Sequence, residues 1–236
     1  MLKNRLKKLR EDVCKANLNL VKKGLVTHTF GNVSGIDRES NIVAIKPSGV
    51  DYGKLSPENM VLVDLDGNIV EGKLNPSSDT KTHITLYKEF KDIGGVAHTH
   101  SRYATAWAQS KRSLPCLGTT HADYFYGEVS CTKVIRDDQI EKDYEEETGS
   151  LIIETFKNVD YRCMKAVLVA CHGPFTWGKD AEEAVFISVM LEEIAHMNFI
   201  SVLLDPGLEN IKKSLLGKHY LRKHGKDSYY GQKDKD

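Results

Sequence analysis

The segment MVLVDLDGNIVEGK, residues 60–73, constrains the fold more than any other stretch of the chain. Two short apolar runs flank Asp66-Gly67, and an Asp-Gly pair readily adopts the positive φ angles of a tight hairpin turn. A hairpin joins antiparallel strands. The sheet therefore cannot be wound from parallel strand–helix–strand units alone, although strands and helices alternate elsewhere. Leu2, Leu6, Leu9, Val13, Ala16 and Leu20 recur at spacings of three and four, which predicts an opening helix stopped at Gly24. NIVAIKPSG predicts a strand that breaks at Pro47-Ser48-Gly49. SSDTKTHITLYKEFKDIGG predicts a helix from Ser78 or Asp79 to Gly94-Gly95. A strand carrying His98 and His100 follows, then a helix from about Ser101. GTTHADYFYGEV reads as extended, and DDQIEKDYEEETGSLIIETFK as two helical pieces broken near Gly149. KAVLVACHG is a second buried strand, ending in His172. DAEEAVFISVMLEEIAHMNFI is a long helix with Asp180 and Glu183 as a capping box.

The 236 residues suit one large α/β domain with an ample core, and no repeat, low-complexity tract or linker divides them. Thirty-three basic residues balance thirty-three acidic ones. That balance gives no electrostatic case for nucleic acid or an anionic membrane as partner. KKSLLGKHYLRKHGK is the one basic cluster, and the last twenty residues read as a loose tail or a docking arm. The apolar stretch 184–204 is interrupted by Glu192, Glu193 and His196, which predicts a buried helix rather than a membrane span. Five scattered cysteines without a CxxC pair read as reduced thiols, and the N-terminus lacks the apolar segment of a secretory signal. A cytoplasmic protein is expected.

In an extended stretch from Val96 to His100, His98 and His100 would leave one face side by side. His172 closes another buried strand. If the two strands are neighbours, three imidazoles meet with a coordination position to spare, a catalytic zinc pattern that other divalent ions also fit. Asp79 could add a carboxylate. An HxH pair on its own is as readily a hydrogen-bonded structural pair. Three turns are rich in small residues and donors: residues 30–35 with Asn32, 47–49 and 76–80. The last opens a helix, where free N–H groups and the helix dipole favour phosphate, and Lys46 would add a point charge. Ordinary turn chemistry accounts for any one of them. Asp123 reads as a base or a cap, and Tyr229 and Tyr230 as phenol donors or packing residues. The absence of GxSxG, Walker A and GxGxxG argues against a serine hydrolase, a P-loop NTPase and a Rossmann oxidoreductase.

Taken in order, TFGNVS, IKPSGVDY, PSSDTKTH, GGVAHTHSRYATAWAQ, TTHADYFYG, CHGPFTWG and KHYLRKHG with YYGQ closely resemble the class II aldolase/epimerase family, on its pentulose-phosphate 4-epimerase side. The likeness runs from the first helix to Gln232; Phe30 stands where close relatives are expected to carry Trp. The resemblance implies an α/β fold of three αβα layers around a central, mainly antiparallel sheet. It also implies a C4 homotetramer with active sites between subunits. It assigns a divalent metal, zinc before manganese or cobalt, to His98, His100 and His172, with Asp79 a nearby or direct ligand. It assigns a sugar-phosphate substrate to Gly31, Asn32, Ser48, Gly49, Ser77 and Ser78, with Lys46 beside them. Asp123 and Tyr230 become an acid/base pair, Tyr230 arriving from an adjacent subunit, so that residues 218–236 form an arm completing a neighbour's site. KDKD is a dispensable extension.

The implied activity is inversion of C4 in L-ribulose 5-phosphate to give D-xylulose 5-phosphate, in arabinose catabolism or a related pentulose route. A C2 carbonyl acidifies only the C1 and C3 protons, so C4 is inverted by opening and remaking the C3–C4 bond. Two rivals share the resemblance. A sugar-phosphate aldolase of the fuculose-phosphate type would release its aldehyde and typically carries Glu where Asp79 stands. An adducin-head-like binding module would lack the metal site.

Overall fold

A computed structural model describes residues 2–231; Gln232 and the KDKD extension lie outside the described residues. The hairpin forms where Asp66-Gly67 requires it, with Gly67 at φ +86°. It joins β3 (Val61–Val63) to β4 (Ile69–Glu71). The remaining strands are β1 (Asn32–Asp37), β2 (Ile42–Ile45), β5 (Gly95–His98), β6 (Ala166–Val169) and β7 (Gly173–Gly178). The sheet has seven strands in the order β4-β3-β2-β1-β5-β7-β6, and every pairing is antiparallel.

Both faces of this sheet are covered, so β2 reads IVAI and is buried throughout. On one face, Val33, Ala44, Leu62 and Ala97 pack against α1 (Leu2–Lys22) and the first turn of α6 (Ala181–Leu204). On the other, Ile36, Val43, Val63, Val96, Phe175 and Trp177 pack with α2 (Thr80–Glu89) and α5 (Asp137–Thr155). The result is the expected three-layer αβα arrangement. Gly35 lets α1 lie close, because a Cβ there would come within 2.9 Å of Val13 Cγ2. Gly24, at φ +69°, ends α1 as its sequence position requires.

Several local expectations are corrected. Residues 118–127 are not a strand: Thr119–Ala122 form the short helix α4, and His121 donates from Nε2 to Gly127 O at 2.7 Å. The β-branched and aromatic residues there suggested extension, but the backbone hydrogen bonds close locally. Helix α5 runs straight through Gly149; its break is at Asp143 (φ −146°, ψ 91°). Gly149 instead allows close approach to α2, since a Cβ would sit 2.6 Å from Thr85 Cβ. The capping box at α6 is half made. Asp180 accepts from Glu183 N at 2.8 Å, but the Glu183 carboxylate accepts from Lys179 N and pairs with Lys165.

Helix α6 is long and apolar enough to cross a membrane by length and composition, yet its inner face (Ala184, Ile187, Leu191, Ile194) belongs to the core. It is buried on that face only; Phe186, Met197, Phe199, Ile200, Leu203 and Leu204 are exposed. Glu192, read as an interruption, accepts from the N–H groups of Tyr103 and Ala104, both at 2.9 Å, and so caps α3 (Arg102–Gln109). The basic cluster is largely helical: Lys213–His224 form α7, which packs on α4, so the first part of the last twenty residues is docked rather than loose.

The two helical glycines should respond to alanine with opposite signs. Gly217 in α7 has nothing within 4 Å of a built Cβ, so Gly217→Ala should raise stability by up to about 1 kcal/mol. Gly149→Ala gains the same propensity but forces overpacking that costs about 1–3 kcal/mol, so it should lower stability. Urea unfolding of the two variants measures both signs.

Candidate active site and metal centre

Strand β5 ends at His98, which shares the Val96 face and stands opposite Asn32 of β1 in the pairing register. The ring is buried, stacks on Phe175 at 4.2 Å between centroids, and donates from Nδ1 to Pro174 O at 3.0 Å. That bond leaves Nε2 as a lone pair. His100 lies just beyond the strand rather than in it, and its Nε2 is 3.0 Å from His98 Nε2. His172 comes from the turn between β6 and β7, where Cys171 adopts φ +64°. The nearest ring nitrogens of the three histidines lie within 4.8 Å of one another. Tetrahedral zinc with Zn–N bonds of about 2.0–2.1 Å puts neighbouring ligand nitrogens roughly 3.3 Å apart, so the cluster is of the right size for a cation. Burial lowers the pKa of His100, and it pushes His172 down to about 3, with the neighbouring histidines adding to the effect. Neutral rings present lone pairs, which is the form a divalent metal needs. The donor set fits such an ion.

Asp79 is the N-cap residue of α2, but its side chain does not cap the helix. Its Oδ2 accepts from Asn32 Nδ2 at 2.6 Å, and Asn32 also reaches Ser77 Oγ at 3.1 Å. Burial raises the carboxyl pKa, but His98, His83 and the Asn32 bond outweigh it, and the net direction is down. An ionised carboxylate thus stands beside the imidazoles.

The three turns are laced together around the same cleft. Ser77 N donates to Lys46 O at 3.0 Å, Ser48 N to Asn75 O at 2.9 Å, and Tyr52 Oη to Gly31 O at 2.9 Å. Gly31, at φ +79°, has no room for a side chain: a Cβ would lie 2.9 Å from His98 O. Lys46 is only 2% exposed. Its ammonium meets the carbonyls of Thr29 (3.4 Å) and Pro47 (3.3 Å) and lies 4.9 Å above the Tyr52 ring. Among the described residues no carboxylate comes within ion-pair distance of it. Burial lowers its pKa, Asp51 opposing. A buried cation without a partner is ready for an anion. One cleft of about 330 Å³ is lined by His98, His100, His172, Asp79, Gly31, Asn32, Lys46, Ser48, Gly49, Ser77 and Ser78. Phe30 stands at its edge, 6.0 Å from the His100 ring.

Asp123 and Tyr230 do not line that cleft. They meet each other's surroundings elsewhere. Arg222 holds Asp123 from Nη2 at 2.8 and 3.0 Å, His219 Nδ1 lies 3.1 Å away and Lys223 Nζ 3.5 Å. Burial pushes the Asp123 carboxyl up, but the Arg222 and His219 hydrogen bonds and nearby positive charge bring it below the usual range. Tyr230 is 60% exposed, its ring above the Arg222 guanidinium at 4.9 Å and the Lys223 ammonium at 4.3 Å.

The family model described as Class II Aldolase and Adducin N-terminal domain matches residues 11–199. The chain belongs to this family. Among curated proteins, L-ribulose-5-phosphate 4-epimerase UlaF of Salmonella paratyphi A and its counterpart in Salmonella typhi are each 50% identical over 228 residues, 97% of this chain and 100% of theirs. Among solved structures, an L-fuculose 1-phosphate aldolase matches with TM-score 0.75 at 25% identity, covering 88% of this chain and 92% of that one. L-fuculose 1-phosphate aldolase from Glaciozyma antarctica PI12 shares the fold, with TM-score 0.77 at 17% identity over 93% of this chain and 83% of its own. The class II aldolase fold and a three-histidine site able to hold a divalent cation are therefore features of this chain.

Sequence reasoning missed the groups that hold the site residues: Pro174 behind His98, Tyr52 behind Gly31, and Arg222 and His219 around Asp123. Tyr144 Oη, 3.3 Å from His172 Nδ1, was also missed. Only the α7 residues left a signal: His219, Arg222 and Lys223 share one helix face in the basic cluster, and such a face asks for an acid.

Buried histidines make the fold acid-sensitive. Burial pushes His121 down to about 4, the Gly127 bond opposing. An unfolded imidazole titrates near about 6.5, so between those values the unfolded chain binds a proton that the folded chain refuses, and stability falls as pH falls. His121→Gln should shed that increment: the wild-type advantage over the variant should shrink by up to about 1.4 kcal/mol per pH unit on acidification from pH 6 to 4.5, measured by denaturant unfolding.

Proposed function

We propose that the chain is a divalent-metal-dependent epimerase that inverts C4 of L-ribulose 5-phosphate to give D-xylulose 5-phosphate. The observation that carries this reading is one cleft holding three imidazoles and an ionised carboxylate at one side and a buried, unpaired ammonium among donor-rich turns at the other. The full-length relatives named as epimerases support it. Their names favour it over the aldolase reading, as does Asp79, one methylene shorter than the Glu expected of an aldolase.

His98, His100 and His172 would hold the ion, zinc first, with Asp79 bound to it or beside it. A divalent ion there supplies Lewis acidity for the negative charge left on the C2–C3 fragment when the C3–C4 bond opens. The hydroxyls of Ser48, Ser77 and Ser78 and the N–H groups of Gly49 and Ser78 offer donors to the substrate phosphate, the Ser48 and Ser77 N–H groups being spent on Asn75 O and Lys46 O, and Lys46 supplies its counter-charge. Holding the phosphate keeps the glycolaldehyde phosphate fragment in place while it turns and presents its other face. Asn32, already bonded to Asp79 and Ser77, orients the hydroxyl-bearing part of the substrate.

Inversion at C4 needs a proton removed from the hydroxyl on one side and returned to the new alkoxide on the other. Asp123 and Tyr230 suit that pair. Both stand outside their own subunit's cleft and are joined through Arg222, so a neighbouring subunit would deliver them together, which suits a C4 homotetramer. A cytoplasmic location and a role in pentulose catabolism follow from the same reading.

Incubation with L-ribulose 5-phosphate, followed by NMR of the C4 configuration with and without chelator, tests the proposal. Metal-dependent D-xylulose 5-phosphate is expected; accumulation of free aldehyde would favour an aldolase. His98→Asn should lose the bound ion and at least about 10²–10³ in kcat with the fold retained, checked by metal analysis and thermal unfolding. Deleting the residues after Ser228 should abolish epimerisation and leave the oligomer intact, which size-exclusion chromatography verifies.

A further inference from the structure

His98 and His172 differ in the hydrogen bond that each ring makes through Nδ1. His98 Nδ1 is fixed by the Pro174 carbonyl. His172 sits in a turn, and among the described residues the one recorded hydrogen-bond partner of its ring is Tyr144 Oη at 3.3 Å from Nδ1. A neutral imidazole carries a single proton. If the phenol donated to Nδ1, that proton would sit on Nε2 and remove it as a ligand. If Nδ1–H donates to the phenol oxygen, Nε2 is left as a lone pair.

The fold goes out of its way to bring Tyr144 there. Helix α5 breaks at Asp143, whose φ of −146° and ψ of 91° lie outside the helical range, and it restarts at the next residue. Asp143 stabilises the break twice: its carboxylate pairs with Lys81 of α2 and accepts from Glu146 N at 3.2 Å, capping the second piece. Thr148 Oγ1 donates to Tyr144 O at 2.7 Å, and Thr82 Oγ1 of α2 donates to Glu145 O at 2.6 Å. An uninterrupted helix would turn residue 144 differently. The same α2 that carries Asp79 at its N-cap thus also fixes, through Lys81 and Thr82, the segment bearing Tyr144.

We infer that Tyr144 is a positioning residue of the metal centre: its phenol oxygen accepts the Nδ1 proton of His172 and keeps Nε2 of that ring free for a divalent cation. The inference rests on the metal-dependent reading of the cleft, and the test separates the two. Tyr144→Phe removes one oxygen and retains the ring, so the full-length variant should fold with the thermal midpoint of the metal-free wild type. Titration with Co²⁺ should show a dissociation constant about 10–100-fold weaker than wild type. At saturation the visible Co²⁺ bands should keep their positions, because the ligands themselves remain. A Tyr144→Phe protein that binds Co²⁺ as tightly as wild type overturns the assignment while leaving the metal centre standing. A wild-type protein that takes up no divalent ion overturns the reading of the cleft, and this assignment with it.

Discussion

The register of β5 between β1 and β7 places Asn32 opposite His98 on one side and Phe175 opposite it on the other. The histidine end of the cleft depends on that pairing. Successive residues of a strand face opposite ways, so a slip of one residue would turn His98 from the α2 layer to the α1 layer. It would part His98 from Asn32 and strip the Pro174 carbonyl from His98 Nδ1. The close contact of Gly31 with the His98 carbonyl belongs to the same arrangement, because any side chain at 31 would press on the end of β5. Antiparallel pairing is what allows so many segments to end together: β1 begins, β5 finishes and β7 begins at one edge, and α2 starts beside them.

The cleft assembles opposite charges that have not met each other. Asp79 finds Asn32, and Lys46 finds carbonyls and an aromatic face, but neither finds an opposite charge in hydrogen-bond contact. Removing a charge from water without a partner is costly, and the surrounding fold has to bear that cost. A phosphate at one end and a cation at the other would each relieve it. The same low-dielectric surroundings hold the His100 and His172 rings neutral, the form in which their lone pairs can be shared.

The proton-carrying candidates follow a different logic. Asp123 is held by three basic side chains of α7, and Tyr230 lies across two of them. That cluster is self-contained and lies outside the histidine cleft. Arg222 is the residue that joins its parts.

The elements legible in the chain were those whose signal is local. The Asp66-Gly67 hairpin, the stripe of α1, the Gly24 stop and the apolar runs of β2, β5 and β6 are patterns of neighbouring residues, and the ordered motifs named the family and eleven residues of one cleft. Residues 118–127 were misread because strand-like side chains say nothing about whether a partner strand exists. The break in α5 was sought at Gly149, the residue that most readily permits one, whereas packing put it at Asp143, where Lys81 supplies a partner. Sequence by itself determined which side chains are available for metal, phosphate and proton chemistry. Only the tertiary structure decided which of them share a cavity and which groups hold them there. Those outcomes depend on hydrogen bonds between segments up to about a hundred residues apart, such as Arg222 to Asp123, and no local pattern encodes them.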